Sequence, residues 1–185
     1  MDILILGLII FFTMHLVPSF TSVRNKLIAR LGEGPYMGLY SIVSLAGLIL
    51  IIYGKSQAEF HAIWNPPVWS RHLVITFMLV SFILFAGADM KSNFKCYTRH
   101  PMLWGVTIWA GTHLSANGDL ASILLFGSFF VFALFDMLSA NIRGATKQEI
   151  KYPYSKDAIA VIAGIVAYVV FVLFLHPYLI GVPII

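Results

Sequence analysis

Six apolar segments, each close to the length needed to cross a lipid bilayer, dominate this chain. A transmembrane helix needs roughly 17–25 predominantly apolar residues. Hydrophobic residues make up 59% of the chain and charged residues 11%, whereas soluble domains carry about 25% charged residues. We therefore expect an all-α, polytopic membrane bundle of about six transmembrane helices. The segments are Ile3–Phe20, Tyr36–Tyr53, His72–Ala88, Pro101–Ala116, Leu120–Ala140 and Asp157–Tyr178.

The basic residues lie in the loops between these segments and form no continuous stripe. Ten Lys and Arg residues follow the first, third and fifth segments, and two follow the second. Loops rich in Lys and Arg tend to stay in the cytoplasm, so this asymmetry predicts that both termini are non-cytoplasmic. The same distribution argues against a nucleic-acid partner, despite a pI of about 9.3, and favours membrane lipids.

No linker or soluble insertion divides the chain, so we expect one transmembrane domain over residues 1–185. The first segment follows Asp2 and lacks the basic flank and cleavage site of a signal peptide, so we expect it to remain as a span. The fourth segment is short, and the turn Asn117–Asp119 joins it tightly to the fifth. Cys96 is the one cysteine, which excludes an internal disulfide.

Histidines at membrane depth are the main candidates for chemistry, because ionisable side chains there are costly. Neutral imidazole is also a common ligand of metals and of haem iron. His61 and His176 lie near predicted interfaces, where a solvated side chain is the simpler interpretation. The other four candidates are His15, His72, His100 and His113.

Helix geometry restricts how these histidines could pair on one haem. Two axial imidazoles approach the iron from opposite faces, so a single helix cannot supply both. His100 and His113 lie on one segment, about 20 Å apart along a helix. We favour His15 with His113, because both should lie well below the membrane surface. The second choice is His72 with His113, which share the non-cytoplasmic half of the membrane. The alternative is that each histidine only donates a hydrogen bond between helices.

Arg99, His100 and Pro101 open the fourth segment at its predicted cytoplasmic edge. Proline suits the first helical position, and a helix N-terminus favours anions. Arg99 and His100 are therefore candidates for binding haem propionates, a phosphate or a carboxylate, with a simple positive anchor as the alternative. Asp136, late in the fifth segment, is expected to pair with Arg143 at the interface or with a histidine.

Small and flat residues occur in the second and fourth segments. Glycines permit close approach of helices, and they also leave flat surface for a planar cofactor. Packing is the more frequent reason for such residues. The residues concerned are Gly38, Gly47, Gly105 and Gly111, with Trp104 and Trp109 beside the last two.

Ordered motifs occur at 15–19, 30–36, 38–41, 44–45, 64–67, 71–73, 99–102, 105, 112–114 and 117–120. Together they resemble the NnrU family of bacterial membrane proteins. The resemblance begins in the first segment and runs to about Arg143. It implies a multi-pass protein of the bacterial inner membrane. The family name links it to nitrite and nitric oxide metabolism in denitrifying bacteria, without specifying a reaction.

The NnrU family is similar to zeta-carotene isomerase, a membrane enzyme whose haem b is held by two histidines. Carried over residue by residue, this resemblance implies haem b as cofactor and His15 and His113 as its iron ligands. The isomerase has a cysteine three residues before its second histidine. Ala110 stands there in this chain, which argues against a redox-linked exchange of ligands of that type.

Three functions remain open at this stage, and whether the chain is an enzyme is not decided. The first is a bis-histidine haem b protein with redox or isomerase-like chemistry on an apolar substrate. The second is a non-catalytic sensor or accessory protein of nitrite and nitric oxide metabolism, which would bind a small gaseous ligand. The third is a membrane methyltransferase that uses S-adenosylmethionine, since isoprenylcysteine methyltransferases also carry an Arg-His-Pro motif. The paired acidic motif of those enzymes is not found after Leu120.

Overall fold

The computed structural model describes residues 1–180, and the all-α prediction is confirmed for them. Strand-like pairing in this part of the chain is limited to one antiparallel bridge between Ala62 and Asp119. A 3-10 turn follows the first helix at Val17–Ser19, and a π-helical turn lies at Phe171–Leu175. The helices are α1 Asp2–Leu16, α2 Thr21–Leu31, α3 Glu33–Ser56, α4 Ser70–Asp89, α5 Phe94–Tyr97, α6 Pro101–Ala116, α7 Leu120–Ile142, α8 Tyr154–Val170 and α9 His176–Ile180.

Five helical segments are long and apolar enough to cross a membrane, which confirms a polytopic membrane protein. Large apolar side chains on them are exposed, such as Ile42 at 69% and Val131 at 67%. Such surface is suited to lipid and not to water. The fourth predicted span is present as the helix α6, whose 16 residues are fewer than in any of the five segments. The five are Asp2–Ser19, Glu33–Ser56, Ser70–Asp89, Leu120–Ile142 and Tyr154–Tyr178.

A short helix, α2, occupies the region that the sequence analysis treated as a loop after the first span. Val23 and Leu31 on this helix are exposed, and so are Lys26 and Arg30. A short helix that combines apolar and basic residues is typical of a segment lying in the membrane interface. The interpretation of this stretch as a loop was therefore wrong.

The chain forms two compact units. The first contains Met1–Asn65 and Gly118–Ser128, and the second contains Pro66–Asn117 and the described residues from Phe129 onward. Helix α7 begins in the first unit and continues in the second. A single domain over residues 1–185 stays a prediction.

In the first unit, α1 and α3 approach each other closely along a line of glycines. A Cβ atom added to Gly7 would lie 2.7 Å from the backbone nitrogen of Ile51. A Cβ added to Gly54 would collide with the backbone of Leu4. The early part of α1 thus faces the late part of α3, so the two helices run antiparallel. Their contact depends on the absence of side chains at these glycines.

The glycines singled out in the second span differ in their surroundings. A Cβ added to Gly47 would lie 2.9 Å from the backbone nitrogen of Phe11, which confirms the predicted close approach. At Gly38 no close approach is found, because no atom of the described residues lies within 4 Å of the added Cβ. The face of α3 that carries Gly38 is open at that position.

In the second unit, α4 packs against both α6 and α8. The buried hydroxyl of Ser81 on α4 donates a 2.7 Å hydrogen bond to the carbonyl of Gly105 on α6. The ring of Phe85 occupies the space where Gly105 would carry a Cβ. On the other side, a Cβ on Gly164 of α8 would lie 2.6 Å from Cα of Ile83. Small residues therefore set the helix spacing here too, and the prediction for Gly105 is confirmed.

Asn93, in the loop after α4, forms hydrogen bonds with the loop after α7 and with the start of α8. Its side-chain amide donates to the carbonyl of Tyr152 at 2.9 Å and to the carboxylate of Asp157 at 2.8 Å. Its side-chain oxygen accepts the backbone N–H of Tyr152 at 2.8 Å. Its own backbone N–H donates to Asp157 at 2.7 Å. Asn93 is only 4% exposed, so this network closes one end of the second unit.

Candidate functional site

His15 lies in the last turn of α1 and is held in one orientation. Its Nδ1 atom lies 2.8 Å from the carbonyl oxygen of Phe11, one helical turn earlier. Because a carbonyl oxygen can only accept, Nδ1 must carry the proton, and the lone pair of the neutral imidazole is on Nε2. The ring stacks on Phe11 at 4.0 Å and lies 5.5 Å from the ring of Tyr40 on α3. Nε2 is thus the atom of His15 that is suited to bind a metal.

Two buried hydroxyls lie on the same helix as Tyr40, one turn before it and one turn after it. The hydroxyls of Tyr36 and Ser44 have no hydrogen-bond partner among the residues that the structure describes. Residues spaced by four share one helix face, so both hydroxyls lie on the face of α3 that carries Tyr40 beside His15. Tyr36 is only 3% exposed. A buried hydroxyl without a partner is costly, and it is consistent with a polar ligand beside His15.

His113 in α6 repeats the arrangement of His15. Its Nδ1 lies 2.8 Å from the carbonyl oxygen of Trp109, again one turn earlier. Nδ1 therefore donates, and Nε2 carries the lone pair. The ring centroids of His113 and Trp109 are 5.8 Å apart, and Trp109 packs edge-to-face on Phe129 at 5.2 Å. The aromatic residue four positions earlier thus orients the imidazole in both helices.

These tautomers match the arrangement usually found at metal sites. A histidine that binds a metal typically donates its other ring N–H to a carbonyl or a carboxylate. His15 and His113 both meet this requirement, so the donor set present fits haem iron. His15 belongs to the first unit and His113 to the second, and their pairing stays a prediction. No group of three or more potential metal-binding side chains occurs among residues 1–180, although a bis-histidine haem needs only two.

The Arg99–His100 pair lies at the start of α6, away from His113 along that helix. Arg99 donates to the side-chain oxygen of Asn141 at 3.0 Å, and Nε2 of His100 lies 3.0 Å from the same oxygen. Nε2 of His100 therefore carries a proton and is a donor in this arrangement. His113 lies thirteen positions after His100, which is about 20 Å along a helix. The two histidines thus belong to different sites.

The remaining candidates lie near the ends of helices. His72 is exposed in the first turn of α4, and its role as a ligand stays a prediction. His61 is exposed and lies 3.4 Å from Glu59. Asp136 contacts Arg143 at 3.4 Å, which is the interfacial pairing expected for it.

A groove between α4 and α6 is lined mainly by apolar atoms. The hydroxyls of Thr107 and Thr112 donate to carbonyls one turn earlier in their own helix, each at 2.8 Å. These threonines therefore present methyl groups to the groove instead of free polar atoms. The groove is suited to a hydrocarbon. Its lining residues are Leu73, Phe77, Thr107, Ile108, Gly111, Thr112 and Ser115.

Sequence reasoning missed an ion pair at the start of α7. The Lys55 ammonium lies 2.9 Å from Asp119, and the same carboxylate accepts the backbone N–H of Ser122 at 2.9 Å. The backbone of Leu120 donates to the carbonyl of His61 at 2.9 Å, which joins this turn to the loop after α3. Burial raises the pKa of Asp119, but the hydrogen bonds from Ser122 and Lys55 outweigh it and leave the pKa below its usual value. The residue types at Asn117–Asp119 indicated a tight turn between α6 and α7. They did not indicate that Asp119 would pair with Lys55.

Comparison with known proteins gives one result for nearly the whole chain. The family model described as NnrU protein matches residues 3–184. The match continues well past Arg143, where the sequence motifs end. No curated protein and no solved structure matches the chain. On this match, the chain belongs to the NnrU protein family.

Proposed function

We propose that this protein binds haem b in the membrane, and that His15 and His113 would hold its iron. One observation carries the proposal. Each imidazole donates its Nδ1–H to a carbonyl one turn earlier, at 2.8 Å in both cases. This leaves Nε2 as the donor atom toward iron and fixes the orientation of the ring.

The surroundings of the two histidines support the same proposal. Phe11 and Trp109 hold the rings against their helices, which reduces the entropy lost when a ligand binds. The hydroxyl of Tyr36 has no hydrogen-bond partner among residues 1–180 and lies in the aromatic cluster beside His15. This hydroxyl is placed to donate to a carboxylate or other acceptor of a bound group.

Haem b, when bound, would supply one-electron redox chemistry and a site for small gaseous ligands. The two histidines would hold the iron, and two strong ligands favour electron transfer over direct binding of a substrate. The apolar groove between α4 and α6 would admit a hydrocarbon from the bilayer. We therefore favour redox or isomerase-like chemistry on an apolar substrate.

The direct test is the absorbance of the purified full-length protein. We expect a Soret band that is lost in His113→Ala and lost or shifted in His15→Ala. His61→Ala is the matched control, because His61 is exposed and lies in a loop. It should leave the spectrum unchanged. A colourless wild-type protein that retains its helical circular dichroism, or full haem binding in both ligand variants, would refute the proposal.

A sensor or accessory function in nitrite and nitric oxide metabolism is the second candidate. Membership of the NnrU family over residues 3–184 supports it. Nitric oxide should then shift the Soret band by displacing one histidine, and no substrate would be turned over. A colourless protein that binds S-adenosylmethionine would instead favour the methyltransferase hypothesis.

A further inference from the structure

A cleft at the start of α6 gathers positive charge from two separate segments of the second unit. We call it the basic cleft and define it by Arg99, His100, Lys147 and Asn141, with the aromatic residues Tyr97 and Trp104 at its sides. Arg99 and His100 lie just before α6, whereas Lys147 lies in the loop after α7. The fold therefore brings together cations that are distant in the sequence.

These cations lack the counter-charge that a purely structural cluster would have. Among the described residues, no carboxylate lies within ion-pairing distance of Arg99 or Lys147. Arg99 and His100 instead share the neutral side-chain oxygen of Asn141. That contact orients both donors without neutralising them. Unpaired cations held close together repel one another, and a bound anion would relieve that repulsion.

The aromatic side chains indicate where the cleft lies relative to the membrane. Tyr97 is 66% exposed and Trp104 is 44% exposed. Exposed tyrosine and tryptophan side chains of a membrane protein are typical of the headgroup region. An anion that reaches the cleft would thus be at the depth of lipid headgroups.

We propose that the basic cleft binds a phosphate group, either the headgroup of an anionic phospholipid or a free phosphate. Arg99 would contact two phosphate oxygens with its planar guanidinium, and Lys147 would add a point charge. His100 and Asn141 would hold Arg99 in place. This site does not depend on haem, because His113 lies thirteen residues further along α6.

The test measures the dissociation constants of three probes for the full chain purified in a neutral detergent. The probes are a short-chain phosphatidylglycerol, the matching phosphatidylcholine and inorganic phosphate. In Arg99→Gln/Lys147→Gln we expect phosphatidylglycerol to bind about tenfold more weakly or worse, because two charge-assisted contacts are lost. Lys91→Gln/Lys151→Gln is the matched control, since it removes the same charge from exposed positions outside the cleft. It should bind like the wild type.

The probes also separate the two sources of phosphate. Preference for phosphatidylglycerol over inorganic phosphate identifies a lipid headgroup, and comparable binding of the two identifies a free phosphate. Lys147→Gln alone, in an exposed loop, gives a second measurement that does not depend on folding of the double variant. Equal phosphate binding by the wild type, Lys147→Gln and the double variant would overturn the proposal. So would binding of S-adenosylmethionine at the cleft in the absence of any phosphate binding.

Discussion

At the scale of single residues, Asp119 links the start of α7 to the end of α3. Its carboxylate caps α7 through the backbone of Ser122 and pairs with Lys55. The side chain of Asp119 is 9% exposed, whereas that of Lys55 is 33% exposed. A charge buried to this degree is stable only with its partners. Removing one partner should therefore lower the free energy of unfolding by more than the loss of a surface ion pair would.

The charge of Asp119 predicts a specific pH dependence of stability. Its pKa in the folded state is held below the ordinary value of 3.8. The stabilisation from the carboxylate is therefore complete above about pH 5 and is lost as the pH falls through the folded-state pKa. Asp119→Asn keeps a good helix cap but removes the charge. We expect this variant to melt at a lower temperature at pH 7 and to approach the wild type near pH 3.

The control for this prediction is the double variant Lys55→Met/Asp119→Asn. If the ion pair is the cause, the two single changes should be non-additive in thermal unfolding at pH 7. A difference between wild type and Asp119→Asn that stays constant from pH 7 to pH 3 would contradict the assignment.

Asn93→Ala should loosen the loop after α7, because it removes three side-chain hydrogen bonds to Tyr152 and Asp157. We expect a loss of about 2–4 kcal/mol in the free energy of unfolding, since one of these bonds is to a carboxylate. Faster tryptic cleavage at Lys151 is the direct measurement. Asn25→Ala, at an exposed position of α2, is the matched control. Equal cleavage rates in the two variants would show that the network does not hold the loop.

Some of these residue-level features could be predicted from the sequence and others could not. The hydrogen bonds of His15 and His113 are local, since each joins positions four apart on a helix. The apolar segments therefore sufficed to place both imidazoles on helices. The partners of Asn93 lie 59 and 64 residues away. Such pairs depend on how the loops fold back, and no local pattern in the sequence encodes that.

At the scale of elements, the spacing between helices is set by glycines that the neighbouring backbone touches. Gly47 and Gly38 are both glycines on α3, yet of the two only Gly47 faces α1. Both could be recognised as small residues from the sequence, but the face of α3 that contacts α1 could not be predicted from it. The helix α2 was missed for a related reason. It is short, and its apolar residues are interrupted by basic ones.

The difference between these two glycines gives a matched pair of variants. Gly47→Ala places a Cβ 2.9 Å from the backbone nitrogen of Phe11, and overpacking of this kind costs about 1–3 kcal/mol. Gly38→Ala meets no described residue within 4 Å and should be neutral or slightly stabilising, because alanine favours the helix. Unfolding by SDS, followed by circular dichroism, measures both. Equal losses in the two variants would contradict the close packing of α1 on α3.

At the scale of the whole molecule, contacts between loops bear on how often the chain crosses the membrane. In the second unit, the backbone of Gln148 donates to the carbonyl of Lys95 at 3.0 Å. Positions 95 and 148 therefore lie on the same side of the membrane. The chain between them contains α6 and α7, and α7 is long enough to cross. A chain that returns to the same side crosses the membrane an even number of times. Helix α6 must therefore cross as well, despite its 16 residues.

The first unit leads to the same conclusion independently. Leu120 donates to the carbonyl of His61 at 2.9 Å, so the loop after α3 and the start of α7 share one side. Between them lie α4, which is long enough to cross, and α6. These contacts favour six crossings, and with six crossings the distribution of Lys and Arg predicts that Cys96 faces the cytoplasm.

Because Cys96 is the one cysteine in the chain, labelling with a membrane-impermeant maleimide can test this topology directly. In intact cells the wild type should remain unlabelled, and it should react after permeabilisation. In the Cys96→Ser background, Lys147→Cys should behave as Cys96 does, because six crossings return the chain to the same side. Glu59→Cys, at a side chain that is 87% exposed, should be labelled in intact cells. If Lys147→Cys and Glu59→Cys instead react alike, α6 does not cross and the protein has five spans.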